Sequence, residues 1–446
     1  MLERVFKLRE NGTNVKREIL AGLTTFATMS YIIVVNPIIL SGAGMDADAV
    51  MVATCLGAAL GTFLMAFLAN YPIALAPAMG HNVLFVIIVS SMGIPWEVGL
   101  GCIAISGTVF IITSVFDFRE KIIEAVPVTL RSAIAAGIGL LIALLGLEYG
   151  QIVVNHEHLL VSLGDLHSPV VLLTLGGLAL TMVLMVWRLR AAILVGILAT
   201  ALVGLTLGIT QYQGVVDTPP SILPTLFKLR LPIPALGQVT QYLVIIFIFF
   251  FLDLFDTVGT LIGVGERGGF MRGEKLPRAK QALLADAIAT VGGACMGTTT
   301  VTSYIESTTG IESGGRTGLS NVCTGVLFLV ALFFAPLVKL VGSSTVGGPV
   351  TVVPAIAPAL IVVGALMMTA VRNIKWNDLT EAFPAFLTIT LMAFTFSITE
   401  GISFGFVSYA LLKLVSGRAR EVHWLIYLFA GLFVVFYVFN PLMGTA

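Results

Sequence analysis

Runs of mostly apolar residues, separated by short polar connections, make up nearly the whole chain. A helix needs about 20 such residues to cross a bilayer. Segments of that kind are expected near 18–40, 49–69, 72–91, 97–117, 127–147, 169–187 and 191–209. A second set is expected near 239–263, 279–297, 299–314, 316–340, 351–371, 378–397 and 401–415. Trp424 to Phe439 is a further apolar stretch, either a short extra span or an interfacial helix. Two of the fourteen segments break the helical pattern. The tenth lies in Gly297 to Gly318, where fifteen of 22 residues are Gly, Ser or Thr, yet apolar runs flank it on both sides. Irregular polar backbone survives at membrane depth only inside protein or beside a water-filled cavity. The β-branched run TTTVTS suits a short extended piece, and YIESTTGIE suits the half-helix that follows. The third segment, Asn70 to Phe85, carries its own breakers in Pro72, Pro77 and Gly80, followed by His81 and Asn82. Broken segments at corresponding places in two halves are the sequence sign of a carrier's midplane site.

Composition narrows the class. Of the 446 residues, 57% are hydrophobic and 11% charged, with mean hydropathy +1.02. Soluble domains carry about 25% charged residues, so an all-α polytopic membrane protein is expected. The charged start MLERVFKLRENGTNVKRE predicts no cleavable leader. The polar loops Glu148–Ser168 and Ile209–Gln238 are too short for a soluble domain. Cys55, Cys102, Cys295 and Cys323 lie in apolar segments at unrelated spacings, which suggests small hydrophobes and neither a disulfide framework nor a metal site. His156, His158 and His167 fall in an external loop and read as solvated.

Charge placement sets the topology. With the N-terminus cytoplasmic, 21 of the 24 Lys and Arg fall on cytoplasmic loops and helix ends, leaving only Lys228, Arg230 and Lys339 outside. That is the bias of the positive-inside rule. Because seven is odd, the second set of seven must run upside down relative to the first, giving a 7+7 inverted repeat with both ends of the core cytoplasmic. Two short matches accompany it. LTTFATMSYII (23–33) aligns with LDLFDTVGTLI (252–262), and ILVGILATAL (193–202) with ISFGFVSYAL (402–411).

Few residues inside the spans can carry chemistry, because a charge at the bilayer centre costs roughly 2.5–3.5 kcal/mol on insertion scales. The acidic candidates are Asp253, Asp256, Asp286 and Glu306. Asp253 and Asp256 are three apart and share a helix face. They repel each other, so one of them is expected to hold a proton. Asp253 has a second reading, as an acceptor for neighbouring Thr hydroxyls or helix ends. Asp286 lies in the Gly/Ala-rich LLADAIATVGGACMG, where a support role competes with ligand contact. Glu306 is expected near the N-terminus of a half-helix, and its two oxygens suit the N–H donors of a planar heterocycle. Glu312 pairs more plainly with Arg316, four residues on. Asn82 offers both a donor and an acceptor on the opposite broken segment. Thr25 joins it as a polar candidate, and Phe26, Phe85 and Phe255 are candidate stacking surfaces for an aromatic ligand. No nucleotide-binding motif or catalytic triad is present, which points to a carrier driven by an ion gradient. A membrane-embedded enzyme using Asp253 and Asp256 as acid and base is the rival of another class.

Several blocks of the chain resemble one family closely. ANYPIALAPAMGHN, DLFDTVGTLIGVGERGG, LLADAIATVGGACMGTTTVTSYIES, GGRTGLSNV and KWNDLTEAFPAFLTITLMAFTFSI are similar to the AzgA-like purine permeases, a group related to the nucleobase–ascorbate transporters. The resemblance covers nearly the whole chain. It implies the 7+7 fold of the bacterial uracil permease and a substrate held between segments 3 and 10. It also implies a core domain (1–117 and 239–345) that moves, elevator-like, against a gate domain (118–238 and 346–446 with the tail), commonly as a homodimer. Asp256 and Glu306 look like the family's purine-binding carboxylates, Asn82 like its segment-3 polar residue, and Asp286 like its supporting acid. The expected function is import of hypoxanthine, guanine or adenine with H⁺, in a cytoplasmic membrane, with no cofactor, metal or nucleic acid. Asp253 and Asp286 would serve proton coupling or support. A same-fold carrier for xanthine, a pyrimidine or a small anion is the alternative. Around segment 3 the family usually reads nearer APGMGLNA, whereas this chain has Ala78, His81 and Val83.

Overall fold

The computed structural model describes residues 2–115, 127–156, 161–189, 191–212, 214–232, 239–271, 276–342, 352–395 and 398–439. Its helices are α1 (Leu2–Phe6), α2 (Val15–Met29), α3 (Ile32–Ser41), α4 (Ala47–Leu64), α5 (Met79–Met92), α6 (Trp96–Val115), α7 (Val128–Tyr149), α8 (Pro169–Val186), α9 (Ala192–Thr206), α10 (Val239–Gly268), α11 (Ala279–Met296), α12 (Ser307–Glu312), α13 (Gly318–Ala331), α14 (Ala335–Gly342), α15 (Ala357–Met367), α16 (Leu379–Phe394), α17 (Ile398–Val415) and α18 (Trp424–Phe439). Among the described residues seven helical stretches are long and apolar enough to cross a membrane, and four shorter apolar helices accompany them. Both segments expected to break do so. Segment 3 is strand β1 (Leu75–Pro77) followed by α5, and segment 10 is strand β4 (Val301–Ser303) followed by α12. A separate two-stranded hairpin, β2 (Val153–Val154) with β3 (Ser162–Leu163), lies in the first long loop. His158 lies outside the described residues.

The chain forms two compact units. One comprises residues 1–115, 146–233 and 245–360, and the other 116–145, 234–244 and 361–446. In the first, β1 and β4 pair antiparallel with Leu75 opposite Ser303, Ala76 opposite Thr302 and Pro77 opposite Val301. So short a ribbon leaves most of its backbone polar groups without ladder partners, and at membrane depth each must be satisfied by protein. Side chains from neighbouring helices meet that need. The Thr62 hydroxyl donates to the Leu75 carbonyl and accepts from the Leu75 N–H, both at 3.0 Å. The Ala74 N–H donates to Ser307 Oγ at 3.0 Å, and Asn321 Nδ2 donates to the Ile73 carbonyl at 2.6 Å. On β4, the Ser303 N–H donates to Asp286 Oδ1 at 3.1 Å.

Small residues let the helices come this close. A Cβ at Gly61 would lie 3.0 Å from Ala289, Leu75 and Val301 side-chain atoms at once. Gly297 ends α11 at φ +99°, a conformation suited to glycine, and packs against Thr225 of the second long loop. That loop is tied down by the Phe227 N–H to the Cys295 carbonyl (2.7 Å) and the Arg230 N–H to the Glu97 carbonyl (2.8 Å).

Segment 1 is also broken, at Ser30–Tyr31 between α2 and α3. Near its start the fully buried Glu18 accepts from the backbone N–H groups of Arg316 (2.8 Å), Thr317 (3.3 Å) and Ser320 (3.2 Å). A carboxylate at the N-terminus of α13 meets its free N–H groups and the positive end of its dipole. The expected Glu312–Arg316 ion pair does not form among the described residues. Arg316 Nη1 instead donates to the Ile311 (3.0 Å) and Gly315 (2.9 Å) carbonyls, because the chain turns at Gly314 and Gly315 and no helix joins the two residues.

In the second unit a buried Lys413 bonds Glu381 (3.0 Å) and Glu421 (3.3 Å), and Arg418 bonds Asp378 (2.6 Å) and Glu421 (2.8 Å). The undecided stretch 424–439 is helical throughout, and Phe429 and Phe433 pack edge-on against Phe406 of α17.

Candidate substrate site

Four acidic residues were expected within the spans, and all four lie in the first unit around the β1–β4 pair. They fall into two sets.

Asp253 and Asp286 are buried at 1% and 0% exposure and are bonded by hydroxyls. Thr257 Oγ1 donates to Asp286 Oδ2 at 2.9 Å. Its one proton is spent there, so the 2.7 Å contact between Thr257 and Thr302 has Thr302 as donor. The Thr290 hydroxyl lies 3.3 Å from Asp253 Oδ2 and 3.2 Å from the Val301 carbonyl. Helices α10 and α11 are thus stitched to β4 through Thr257, Thr290, Thr302 and Ser303.

Asp256 and Glu306 differ. The Asp256 side chain is 44% exposed, and its Oδ2 lies 4.0 Å from Nδ1 of the buried His81 on α5. Glu306 is half-buried at the N-cap of α12, yet its carboxylate makes no capping bond. Its Oε1 instead accepts from the Tyr31 hydroxyl at 2.7 Å, leaving Oε2 toward other donors. Asp253 and Asp256 share a helix but not an environment. Three residues apart, the first faces Thr290 of α11 and the second faces His81 of α5.

Asn82 sits one residue past His81, wholly buried. Its Oδ1 accepts from the Thr299 hydroxyl, and its Nδ2 has no partner among the described residues. His81 Nε2 is likewise without a partner, and the ring lies near-parallel to Phe249 with centroids 6.5 Å apart. Buried donors and acceptors left open are uncommon and ask for a reason. Thr25 is buried on α2, where a Cβ on Gly310 of α12 would strike its side chain. It marks a close helix crossing. Thr28 and Thr309, one turn along, lie 3.1 Å apart at their hydroxyls.

The aromatic candidates part company with the acids. Phe85 is fully buried with its ring against Gly99, and Phe26 packs edge-on against Phe328 at 5.2 Å. Both rings are occupied by packing. The Phe255 side chain lies outside those described. Tyr31 was not singled out by sequence reasoning. Its signal was a polar-tipped aromatic next to Ser30, where segment 1 breaks. Tyr304 is similar, its hydroxyl donating to the Pro77 carbonyl and fastening the end of β1.

Residues 16–404 match the profile of the Permease family. The chain belongs to that family. It is 44% identical to the adenine permease AdeP of Escherichia coli strain K12 over 442 residues, 98% of this chain and 96% of that protein. It is also 44% identical to the guanine/hypoxanthine permease PbuO of Bacillus subtilis strain 168 over 437 residues, 97% of this chain and 99% of that one. Among solved structures it is similar to the transmembrane domain of the cyanobacterial bicarbonate transporter BicA, with TM-score 0.65 at 17% identity over 87% of this chain and 97% of that one. At that identity the likeness bears on the fold alone. The protein is a polytopic helical membrane protein with fourteen segments in a 7+7 inverted repeat. It is a permease and not an enzyme, so the acid–base reading of Asp253 and Asp256 falls away.

Proposed function

We propose that this permease imports purine nucleobases by proton symport, with Asp256 and Glu306 as the substrate-binding carboxylates. One observation carries the reading most. Two carboxylate side chains, Asp256 and Glu306, are partly exposed beside the joint where the broken segments 3 and 10 meet, while the other two acids there are buried and bonded. Purines present ring N–H and exocyclic NH₂ groups on one planar edge, and carboxylate oxygens accept such donors. The relatives named as adenine and guanine/hypoxanthine permeases support the same substrate class. An acidic site also disfavours a small anion as cargo, whatever BicA carries on this fold.

Asn82 contributes an amide to the site, its Nδ2 a donor for a ring nitrogen or carbonyl. Thr25 shapes the α2–α12 crossing behind Glu306. The coupling proton is shared among Asp256, Asp253 and Glu306, with Asp286 as support. The core domain (1–117 and 239–345) travels against the gate domain (118–238 and 346–446) in an elevator-like cycle, in a homodimer in the cytoplasmic membrane with both ends of the fourteen-segment core inside.

The test is uptake of labelled hypoxanthine into proteoliposomes, with unlabelled bases as competitors and with or without a protonophore. Competition by purines but not uracil, loss of accumulation with protonophore, and recovery of hypoxanthine chemically unchanged are expected. Uptake indifferent to purines would overturn the substrate class, and accumulation untouched by protonophore would overturn proton coupling.

A further inference from the structure

We propose that α18 (Trp424–Phe439) is a fifteenth membrane crossing, which brings the chain out on the face opposite its N-terminus. The inference rests on the fourteen-segment fold and is independent of the substrate.

Fourteen crossings return the chain to the side on which it began, so the turn after α17 lies on the N-terminal side. From there α18 has two courses. A helix lying in the interface would leave α17 at the turn and touch it only near Val415. A crossing helix would run back along α17 to its far end. The contacts follow the second course. In the turn, the Tyr427 hydroxyl donates to the Ala419 carbonyl at 3.2 Å. Further along, Phe429 and Phe433 pack edge-on against Phe406, with ring centroids 6.1 and 6.3 Å away. At the far end the Tyr437 ring lies 6.0 Å from that of Phe404, and its hydroxyl donates to Glu400. Rising positions on α18 thus meet falling positions on α17, from the turn almost to the start of α17 at Ile398.

Composition points the same way. An interfacial helix carries a polar face, usually rich in Lys and Arg, toward headgroups and water. The sequence WLIYLFAGLFVVFYVF has no charged residue on any face. Leu425, Ile426, Phe429, Ala430 and Phe433 are buried, whereas Trp424, Leu428 and Val434 are exposed on the other side. A helix that is apolar all round belongs in a protein core or in lipid. One side of α18 lies against α17, and acyl chains cover the other. Its ends carry further marks of a crossing. Lys413, Arg418 and Arg420 precede the helix and none lies within it, which suits a cytoplasmic turn. Trp424 and Tyr427 stand near one end and Tyr437 near the other, where amphipathic rings settle at the two interfaces. Its sixteen residues span about 24 Å. The α16 helix, which forms segment 13, is equally long.

The test reads sidedness in the full chain. One epitope is placed before Met1 and another after Ala446, and protease is added to intact spheroplasts and again after lysis. The C-terminal epitope is expected to be lost from intact spheroplasts, and the N-terminal epitope only on lysis. Protection of both until lysis would overturn the proposal and lay α18 in the interface. A second measurement does without the tags' bulk. In chains whose four native cysteines are replaced by alanine, Thr445→Cys and Ser416→Cys are treated separately with a membrane-impermeant maleimide. Thr445→Cys is expected to label in intact spheroplasts, and Ser416→Cys only after lysis. Labelling of the two from one side would overturn the proposal. Ser416→Cys on the side away from the N-terminal epitope would instead overturn the fourteen-crossing count beneath it.

Discussion

At the scale of single residues, burial sorts the acids better than spacing does. Asp253 and Asp256 looked like a pair because helical geometry puts positions three apart on one face. A helix face is wide enough for its two edges to meet different neighbours, and here one edge meets Thr290 and the other His81. Glu306 was legible because the Gly/Ser/Thr-rich run around it has no other reason to sit between apolar spans. Its partner Tyr31 was not legible, because 275 positions separate the two and only the packing of α2 and α3 against segment 10 brings them together. Phe85, expected as a stacking surface, is buried with its ring against Gly99. An aromatic beside a polar site reads the same whether its ring faces a ligand or Gly99. Tyr31 carries a prediction of its own. Tyr31→Phe removes the donor to Oε1 while keeping the ring, so the carboxylate loses its orientation and little of the packing changes. Bonds to charged groups contribute about 1.5–3 kcal/mol, and Glu306 is half-buried, so an effect near the lower end is expected. The KM for hypoxanthine should rise about tenfold in proteoliposome uptake with melting temperature unchanged. A KM equal to wild type would remove Tyr31 from the site.

At the scale of elements, the two broken segments exist because other helices supply what a helix would otherwise supply to itself. Pro72 and Pro77 disfavour a continuous helix through segment 3, while Gly80 lies inside α5, and the β-branched run 298–302 favours extension in segment 10. That much the residues announce. They do not announce where the released backbone groups go. Thr62, Asn321, Ser307 and Asp286 each serve that backbone from a different helix or turn, and nothing local marks them. Thr62 is the sharpest case, since one hydroxyl satisfies both the N–H and the C=O of Leu75. Thr62→Val keeps the volume and removes both partners. Leaving buried backbone groups unsatisfied costs about 1–3 kcal/mol each, so thermal unfolding of the detergent-purified protein should occur several degrees lower, with hypoxanthine uptake weakened as β1 loosens. A variant with wild-type melting would show that the ribbon does not depend on Thr62.

At the scale of the whole molecule, the odd number of segments in each half and the 21-to-3 division of Lys and Arg were enough to anticipate an inverted repeat. The repeat predicts more than a topology. It brings the third segment of each half to one place, and β1 meets β4 there, in register from Leu75 with Ser303 to Pro77 with Val301. The joint divides its acids into a buried pair that stitches helices to strand and a pair, Asp256 and Glu306, whose side chains are partly exposed. Function is proposed from that division. The most direct measurement is the affinity of purified wild-type protein and Glu306→Gln for hypoxanthine, by calorimetric titration in detergent. Gln keeps the size and one acceptor but gives up the charge, and a charged acceptor contributes about 1.5–3 kcal/mol to its bond. The account predicts a Kd weakened by about tenfold to a hundredfold in a protein that melts like wild type. Equal affinities would contradict it.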